Sequence, residues 1–195
     1  MIKFLILSLF GCPAVLQTEE NKLSVDTTSN EEEIPTQFGI IKTENCDQET
    51  LGSTVCDMIF YDQNKDVWQL YDHEGKVIIL DFSTVWCMPC QNAGHYVQPI
   101  QDDYEGKVEF VTVLMDGMTG DPPNEEEINE WVTSHGITTA PVLYADRSVA
   151  DSTGVNGYLI GGFPTYVFIT KDLKIHSGAV GFNEQYVRTT IDGLL

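Results

Sequence analysis

Continuous apolar runs and helix-periodic stretches follow one another along the chain and predict alternating strands and helices. The runs at 76–83 (KVIILDFS) and 108–116 (VEFVTVLMD) are typical of strands that are buried on both faces of a sheet. Between them, apolar side chains recur at helical spacing at Ala93, Val97, Ile100 and Tyr104. Pro99 stands among these residues and predicts a kink in that helix.

The stretch from 124 to 136 carries signals for both ends of a further helix. Asn124 is a favourable N-terminal cap, Glu127 stands three residues later as in a capping box, and Gly136 is suited to end the helix. Its acidic residues are therefore interpreted as helix-terminal charges and not as a catalytic carboxylate pair.

The remaining apolar segments complete an alternating pattern. The segments 57–62 and 68–73 are predicted to form either a short hairpin or two extended segments, and strands are predicted at 140–146, 165–170 and 174–181. The last two strands are joined by a turn at Lys171 and Asp172, and a final helix begins near Asn183. This order of elements predicts an α/β domain with a mixed sheet.

The first twelve residues, MIKFLILSLFGC, have the character of an export leader. Lys3 precedes an apolar run at 4–10 that is too short to span a bilayer, for which about 20 residues are needed, but fits the apolar region of a signal peptide. The segment at 9–12 is similar to a bacterial lipobox, which predicts that Cys12 is lipidated, although Phe10 stands where a small residue is usual. The alternative is an uncleaved or ordinarily cleaved signal in which Cys12 has no role.

Charge and composition divide the rest of the chain into two parts. Residues 13–45 are polar and acidic without apolar periodicity and are predicted to be a flexible linker, so that the folded domain covers 46–195. The whole chain has 30 acidic and 10 basic residues and a formal charge of −20, which argues against nucleic acid as a partner. Contact with a membrane is expected through the lipid anchor only.

The five cysteines suggest an oxidising compartment once Cys12 is assigned to the leader. Export places the other four where disulfides persist, as the pairs Cys46 with Cys56 and Cys87 with Cys90. We predict that Cys46 and Cys56 form a structural disulfide. Two free thiols, or a relay that passes electrons to the second pair, are the alternatives.

The Cys87-x-x-Cys90 spacing is compatible with zinc, with a structural disulfide or with redox chemistry. Cys87 follows a predicted strand and opens a predicted helix, where backbone N–H groups stabilise a thiolate, and Cys90 lies one turn further on. Zinc would need two more ligands, and the histidines show no paired spacing at His73, His95, His135 and His176. A crosslink over so short a loop constrains the unfolded chain very little, so the placement favours a redox pair and no metal.

Two separate motifs resemble the thioredoxin superfamily. The sequence DFSTVWCMPC at 81–90 is similar to the thioredoxin active-site signature, and GGFPTYVFI at 161–169 is similar to the family's proline loop. The stretch 46–195 resembles the exported TlpA/ResA-like branch. The resemblance implies a thioredoxin-like fold, in which helices flank a mixed central sheet, with an N-terminal hairpin extension and an inserted helix and strand within 117–160.

The resemblance also implies a substrate-binding surface around the thiols. Pro164 is expected to be cis and to lie beside Cys87, and the backbone of Phe163 is expected to pair with an extended substrate segment. Trp86 is expected to shield the sulfur, and Met88 to make the rim around it apolar. For Trp86, simple packing is the alternative.

Asp81 occupies the position at which thioredoxins carry a buried carboxylate beneath the disulfide. Burial there would raise its pKa and enable it to take the proton of Cys90 during catalysis. A carboxylate that merely ends a strand is the alternative.

Together these features predict an exported thiol–disulfide oxidoreductase, working as a reductase, in the periplasm or cell envelope. The resemblance implies no cofactor, since electrons would come from a membrane thiol donor. Expected substrates are exported proteins with disulfides, including apocytochromes that await haem. A disulfide oxidase or isomerase, and a non-catalytic binding module on the same scaffold, are the alternatives.

Overall fold

A computed structural model describes residues 37–151, 153 and 156–195. Its strands are β1 (Gly39–Ile41), β2 (Asp57–Tyr61), β3 (Val67–Gln69), β4 (Val77–Thr84), β5 (Val108–Asp116), β6 (Val142–Tyr144), β7 (Thr165–Ile169) and β8 (Ile175–Val180). Its helices are α1 (Met88–Gly94), α2 (Val97–Asp103), α3 (Glu125–His135) and α4 (Glu184–Leu194), with short 3₁₀ turns at Leu70–His73 and Arg147–Val149. None of the helices in this described part is long and apolar enough to cross a membrane.

The central sheet has five strands in the order β6-β5-β4-β7-β8. β4 pairs in parallel with β5, β5 pairs in parallel with β6, and the β7–β8 hairpin adds to β4 in the antiparallel sense. Every residue of β4 and β5 is buried, which explains why both strands read as continuous apolar runs. The predicted α/β fold with a mixed sheet is confirmed, and α3 and β6 form the predicted helix and strand within 117–160.

Alternate residues of β4 face two separate cores. Ile78, Leu80 and Phe82 belong to the core that includes residues of β2 and β3, the predicted hairpin. Val77 and Ile79 belong to the core that includes both cysteines of the CxxC motif. Because side chains alternate along a strand, Asp81 lies on this second face.

The folded part begins earlier than the predicted boundary at residue 46. Gly39–Ile41, within the predicted linker, form β1, which pairs antiparallel with β2 and makes a three-stranded sheet of the predicted hairpin. Ile40 packs against the core of this sheet. A strand of only three residues has too little periodicity to be recognised before its partner strand is known. The predicted leader at 1–12, with Cys12, and the linker as far as residue 36 lie outside the described residues.

The helix that follows the cysteines is broken rather than kinked. α1 ends at Gly94 and α2 begins at Val97, so the break precedes Pro99. In a continuous helix the ring of a proline clashes with the carbonyl four residues earlier, which here belongs to His95. Pro99 instead lies in the first turn of α2, where its missing N–H costs little.

The predicted ends of α3 and α4 are confirmed. Asn124 accepts from the Glu127 backbone N–H while the Glu127 side chain accepts from the Asn124 N–H, and Gly136 ends α3 with a φ of 64°. Asn183 caps α4 by accepting a hydrogen bond from the backbone N–H of Tyr186.

Candidate active site

The Cys87–Cys90 pair lies directly beyond the carboxyl end of β4. The Cys87 N–H donates to the Thr84 carbonyl (3.2 Å), and Cys87 is the N-cap residue of α1. The two cysteines form a disulfide, and Cys87 Sγ accepts a hydrogen bond from the Cys90 N–H at 3.2 Å. Pro89 lies in the first turn of α1, where its missing N–H costs little. A thiolate at Cys87 would receive the same N–H donor, which stabilises its negative charge.

Cys87 and Cys90 differ only slightly in solvent exposure when they form the disulfide. Cys87 is 5% exposed and Cys90 is fully buried. Cys87 is therefore the more accessible of the two sulfurs, by a small margin.

The residues on either side of Cys87 in the sequence have exposed apolar side chains. Trp86 is 46% exposed and Met88 is 69% exposed. The ring of Phe163 meets that of Trp86 edge to face, with a centroid distance of 5.8 Å. This contact joins the proline loop to the cysteine motif, and the Phe163–Pro164 bond is cis, as the resemblance implied.

Asp81 is completely buried in the middle of the sheet, on the face that carries α1. Its Oδ1 accepts from the Ser83 hydroxyl at 2.7 Å, whereas Oδ2 has no hydrogen-bond partner among the described residues. Burial raises the pKa of Asp81 to about 7, against the weaker opposing effect of the Ser83 hydrogen bond. A carboxyl group with such a pKa accepts and releases protons near neutrality.

Two further polar side chains adjoin Asp81 on the same face. Thr112 of β5 and Tyr166 of β7 are its direct neighbours in register. Both hydroxyls are buried, and neither has a partner within the described part of the chain. Burial, followed by the nearby Asp81 charge, raises the pKa of Tyr166, so its phenol stays protonated. This face of the sheet, whose core includes Cys87 and Cys90, thus combines a proton-accepting carboxyl with neutral hydroxyl groups.

Asp116 and Arg147 are site residues that the sequence analysis missed. Asp116 ends β5, is fully buried, and accepts from the Trp86 indole N–H at 3.3 Å. Arg147 donates to both carboxylate oxygens, with its Nε at 2.9 and 3.1 Å. Since parallel strands end at the same edge of a sheet, the ends of β4 and β5 already placed Asp116 near the cysteine motif. No comparable signal marked Arg147.

α3 contacts α1 through the buried His135. Its Nδ1 lies 2.7 Å from the carbonyl oxygen of Trp131, and its Nε2 lies 2.9 Å from the carbonyl oxygen of Gln91, which follows Cys90 in α1. A Cβ at Gly94 would approach the His135 ring to 2.6 Å, so this close packing requires a glycine. These contacts of His135 fix α1 against α3.

Cys46 and Cys56 form the predicted disulfide, with Cα atoms 4.8 Å apart. The loop that it closes, residues 46–56, is anchored to the outer edge of β8. Gly52 N–H donates to the Ile175 carbonyl (2.7 Å), and Ile175 N–H donates to the Ser53 carbonyl (3.0 Å). Among residues 37–151, 153 and 156–195, no group of three or more His, Cys, Asp and Glu side chains is arranged to hold a metal.

Comparison with known proteins agrees with this geometry. Residues 51–177, well over half of the chain, match the AhpC/TSA family. The thiol-disulfide oxidoreductase ResA of Oceanobacillus iheyensis is 32% identical over 108 residues, which cover 55% of this chain and 50% of that protein. The chain therefore spans about half the length of this curated relative.

Two solved structures are similar in fold. A DsbF homologue from Corynebacterium diphtheriae matches with a TM-score of 0.63 and 18% identity, covering 81% of this chain and 100% of that one. The exposed lipoprotein thioredoxin Etrx1 of Streptococcus pneumoniae matches with a TM-score of 0.58 and 24% identity, covering 71% and 99%. With the family match over 51–177, these likenesses establish that the chain belongs to the AhpC/TSA family and has a thioredoxin-like fold.

Proposed function

We propose that the protein is an exported thiol–disulfide oxidoreductase that reduces disulfides of other exported proteins. The observation that supports this most is the setting of the Cys87–Cys90 disulfide. It lies at the start of α1 with an N–H donor on Cys87 Sγ, beside an exposed apolar rim and on the same face as Asp81. A relative that is named thiol-disulfide oxidoreductase supports the same reaction class.

In the proposed reaction, the reduced protein donates two electrons to a substrate disulfide. The Cys87 thiolate attacks one substrate sulfur, a mixed disulfide forms, and the other substrate sulfur leaves as a thiolate. Cys90 transfers its proton to Asp81, and its thiolate attacks Cys87 Sγ. The Cys87–Cys90 disulfide forms, the second substrate sulfur is released, and Asp81 passes the proton to a substrate thiolate. A membrane thiol donor then returns two electrons and one proton, which restores the Cys87 thiolate and the Cys90 thiol, so that no bound cofactor is needed.

The apolar rim would hold the substrate during this exchange. Trp86 and Met88 present exposed surface next to Cys87, and the backbone of Phe163 would pair with an extended segment of the substrate. Asp116 and Arg147 act through Trp86, because Asp116 accepts the hydrogen bond of the indole N–H and Arg147 holds the Asp116 carboxylate in place. They are therefore positioning residues rather than catalytic ones.

The direction of electron flow follows from the reduction potential of the Cys87–Cys90 pair. We would equilibrate residues 37–195 with glutathione and dithiothreitol buffers and quantify the free thiols. A potential near that of thioredoxin, about −270 mV, is expected for a reductase. A potential near about −120 mV would reverse the assignment to a disulfide oxidase. If a Cys87→Ser, Cys90→Ser variant retained cellular function, the protein would instead be a binding module on this scaffold.

The proton-transfer role of Asp81 is tested separately with Asp81→Asn. General acid–base catalysis contributes about 10²–10⁴-fold, so resolution of a mixed disulfide should slow by about 10²-fold while its formation stays fast. The mixed disulfide should therefore accumulate, as non-reducing gels would reveal. An unchanged resolution rate would remove Asp81 from the mechanism.

We further propose that Cys12 carries a lipid and anchors the protein to a membrane on the exported side. The name of the pneumococcal relative, an exposed lipoprotein, supports this location. In cell fractionation the full chain should sediment with membranes, and a Cys12→Ser variant should be released. Equal distribution of both proteins would contradict the anchor.

A further inference from the structure

A groove separate from the thiol site lies along the free edge of the central sheet. It has a volume of about 440 Å³, and its walls come from the 46–56 loop, residues 158–159, β8 and residues 165–167 of β7. One of these β7 residues, Tyr166, is also the in-register neighbour of Asp81. Neither cysteine of the CxxC motif lines it. We call it the β8 groove.

The outer edge of β8 is only partly covered. Its first residue, Ile175, pairs with Gly52 and Ser53 of the 46–56 loop. Among the described residues, no strand lies on the outer side of Gly178–Val180, since β8 is the last strand of the sheet. This edge thus already binds one extended segment of the chain itself and is open where that segment ends.

The register shows which backbone groups of β8 face the groove. Gly181 N–H donates to the Pro164 carbonyl, so these two residues form a hydrogen-bonded pair of the β7–β8 ladder. Because such pairs alternate with non-bonded pairs, the N–H and C=O groups of Gly178 and Val180 point away from β7. They form the pattern that an added antiparallel or parallel strand requires.

The rim of the β8 groove is apolar and strongly exposed. Leu51 is 65% exposed, Leu159 is 58% exposed and Val180 is 65% exposed. Glu49 is the one charged side chain in its described lining, and it disfavours acidic ligands. Exposed apolar side chains that converge on one groove are typical of an interaction site rather than of ordinary surface.

The walls of the groove also contain hydrogen-bonding groups that are not used. Gln48 is 3% exposed, and its Nε2 has no acceptor within the described part of the chain. The Ser177 hydroxyl likewise has no partner among the described residues. Unsatisfied buried donors are costly, so a ligand that supplies carbonyl oxygens after a small side-chain rotation would be favoured.

The groove opens at the same end of the sheet as the thiol site. Phe82 of β4 is in register with Thr165 of β7, and Thr165 is in register with Val180 of β8. A strand added to β8 would lie three strand spacings from β4, about 14 Å away. About four or five extended residues span that distance.

We propose that the β8 groove binds an extended, apolar, non-acidic segment of the substrate polypeptide as an added strand. This segment would lie about four or five residues from the substrate cysteine that Cys87 attacks. The identity of the ligand as a substrate segment rests on the proposed function, whereas the existence of a binding site in the β8 groove does not.

The direct test is peptide binding measured by fluorescence anisotropy. The probe is a fluorescein-labelled peptide of ten residues that alternates Val or Leu with Ser or Thr and lacks cysteine. It should bind both the wild-type protein and a Cys87→Ser, Cys90→Ser variant. Val180→Glu and Leu159→Glu should each weaken binding at least tenfold, whereas Val67→Glu, the same change at an exposed residue of β3, should not. A probe with alternate N-methylated amides should also bind at least tenfold more weakly.

The possible outcomes test peptide binding by the β8 groove independently of the proposed disulfide reduction. Val180 is largely exposed, so its variant should fold, which circular dichroism and thermal unfolding would verify. No saturable binding, or binding that Val180→Glu leaves unchanged, would overturn the groove even if disulfides are reduced. Conversely, peptide binding without any disulfide reduction would leave the groove in place and overturn the proposed function.

Discussion

The described part of the chain contains two disulfides that differ in their surroundings. Their Cα–Cα distances are similar, 4.8 Å for Cys46–Cys56 and 5.2 Å for Cys87–Cys90. The first spans a sequence separation of 10 and closes a loop that is hydrogen-bonded to β8. The second spans a separation of 3 and lies within the start of a single helix. The first therefore closes a loop that hydrogen bonds attach to a strand distant in sequence, whereas the second crosslinks two residues one helical turn apart.

The carboxyl groups of Asp47 and Asp81, which accompany the two disulfides, differ in burial and in the direction of their pKa shifts. Asp47, beside Cys46, is partly exposed and accepts hydrogen bonds from the N–H groups of Glu49 and Thr50, which lower its pKa. Asp81, on the face of the sheet below the CxxC helix, is buried, and its pKa is raised to about 7. One carboxylate stays charged and orders a loop, whereas the other is able to exchange a proton. The surroundings of each disulfide, rather than the bond itself, therefore distinguish a structural crosslink from a reactive one.

Loss of Cys87 should have the largest effect on activity. Cys87→Ser removes the nucleophile, so reduction of insulin disulfides, followed by turbidity, should fall by at least about 10³-fold. The matched control is the Cys46→Ser, Cys56→Ser variant, which should keep most of the rate while it remains folded. A similar loss in both proteins would erase the distinction between the two disulfides.

The pH dependence of stability should distinguish Asp81 from exposed carboxylates. Because its pKa is raised in the folded state to about 7, the folded protein binds a proton between about pH 4 and 7 that the unfolded chain has released. Stability from this group is complete below pH 4 and is lost as the pH rises through 7, by up to about 4 kcal/mol.

Urea unfolding of wild-type protein and Asp81→Asn across this pH range measures the difference. The Asn variant should lack that part of the decline and should be the more stable protein at pH 8. Parallel curves for the two proteins would show that Asp81 does not titrate near neutrality.

Removal of the Cys46–Cys56 disulfide should reduce stability more than removal of Cys87–Cys90. The chain-entropy relation assigns about 2–3 kcal/mol to a loop of this size, and about 1 kcal/mol less to the short CxxC loop. Urea unfolding of the two double Cys→Ala variants under identical conditions tests this order. A larger loss for the CxxC pair would mean that it contributes to the fold in a way that loop size does not describe.

Arg147→Gln should have the smallest effect, a loss of about three- to tenfold in kcat/KM for a protein disulfide. The change breaks the paired hydrogen bonds to Asp116 and loosens the indole N–H contact of Trp86. Tryptophan fluorescence should shift along with the kinetics while the midpoint of urea unfolding stays unchanged, a combination that a purely structural role would not predict. Arg188→Gln, which removes the ion pairs of α4 to Asp103 and Glu184, is the control.

Local patterns accounted for much of this protein. The apolar runs predicted β4 and β5, the caps at Asn124 and Gly136 predicted α3, and the position of Cys87 after a strand predicted its place at a helix start. These features depend on residues that are close in sequence, so periodicity and spacing reveal them. The resemblance of the two motifs to thioredoxins also predicted the cis peptide bond before Pro164.

The tertiary structure alone decided which distant side chains meet. Asp116, Arg147 and Trp86 come from three separate segments, and no spacing in the sequence links them. The strand β1 and the β8 groove likewise exist only because separate segments pair at sheet edges. Side-chain contacts between remote segments depend on register and packing, which one-dimensional periodicity does not contain.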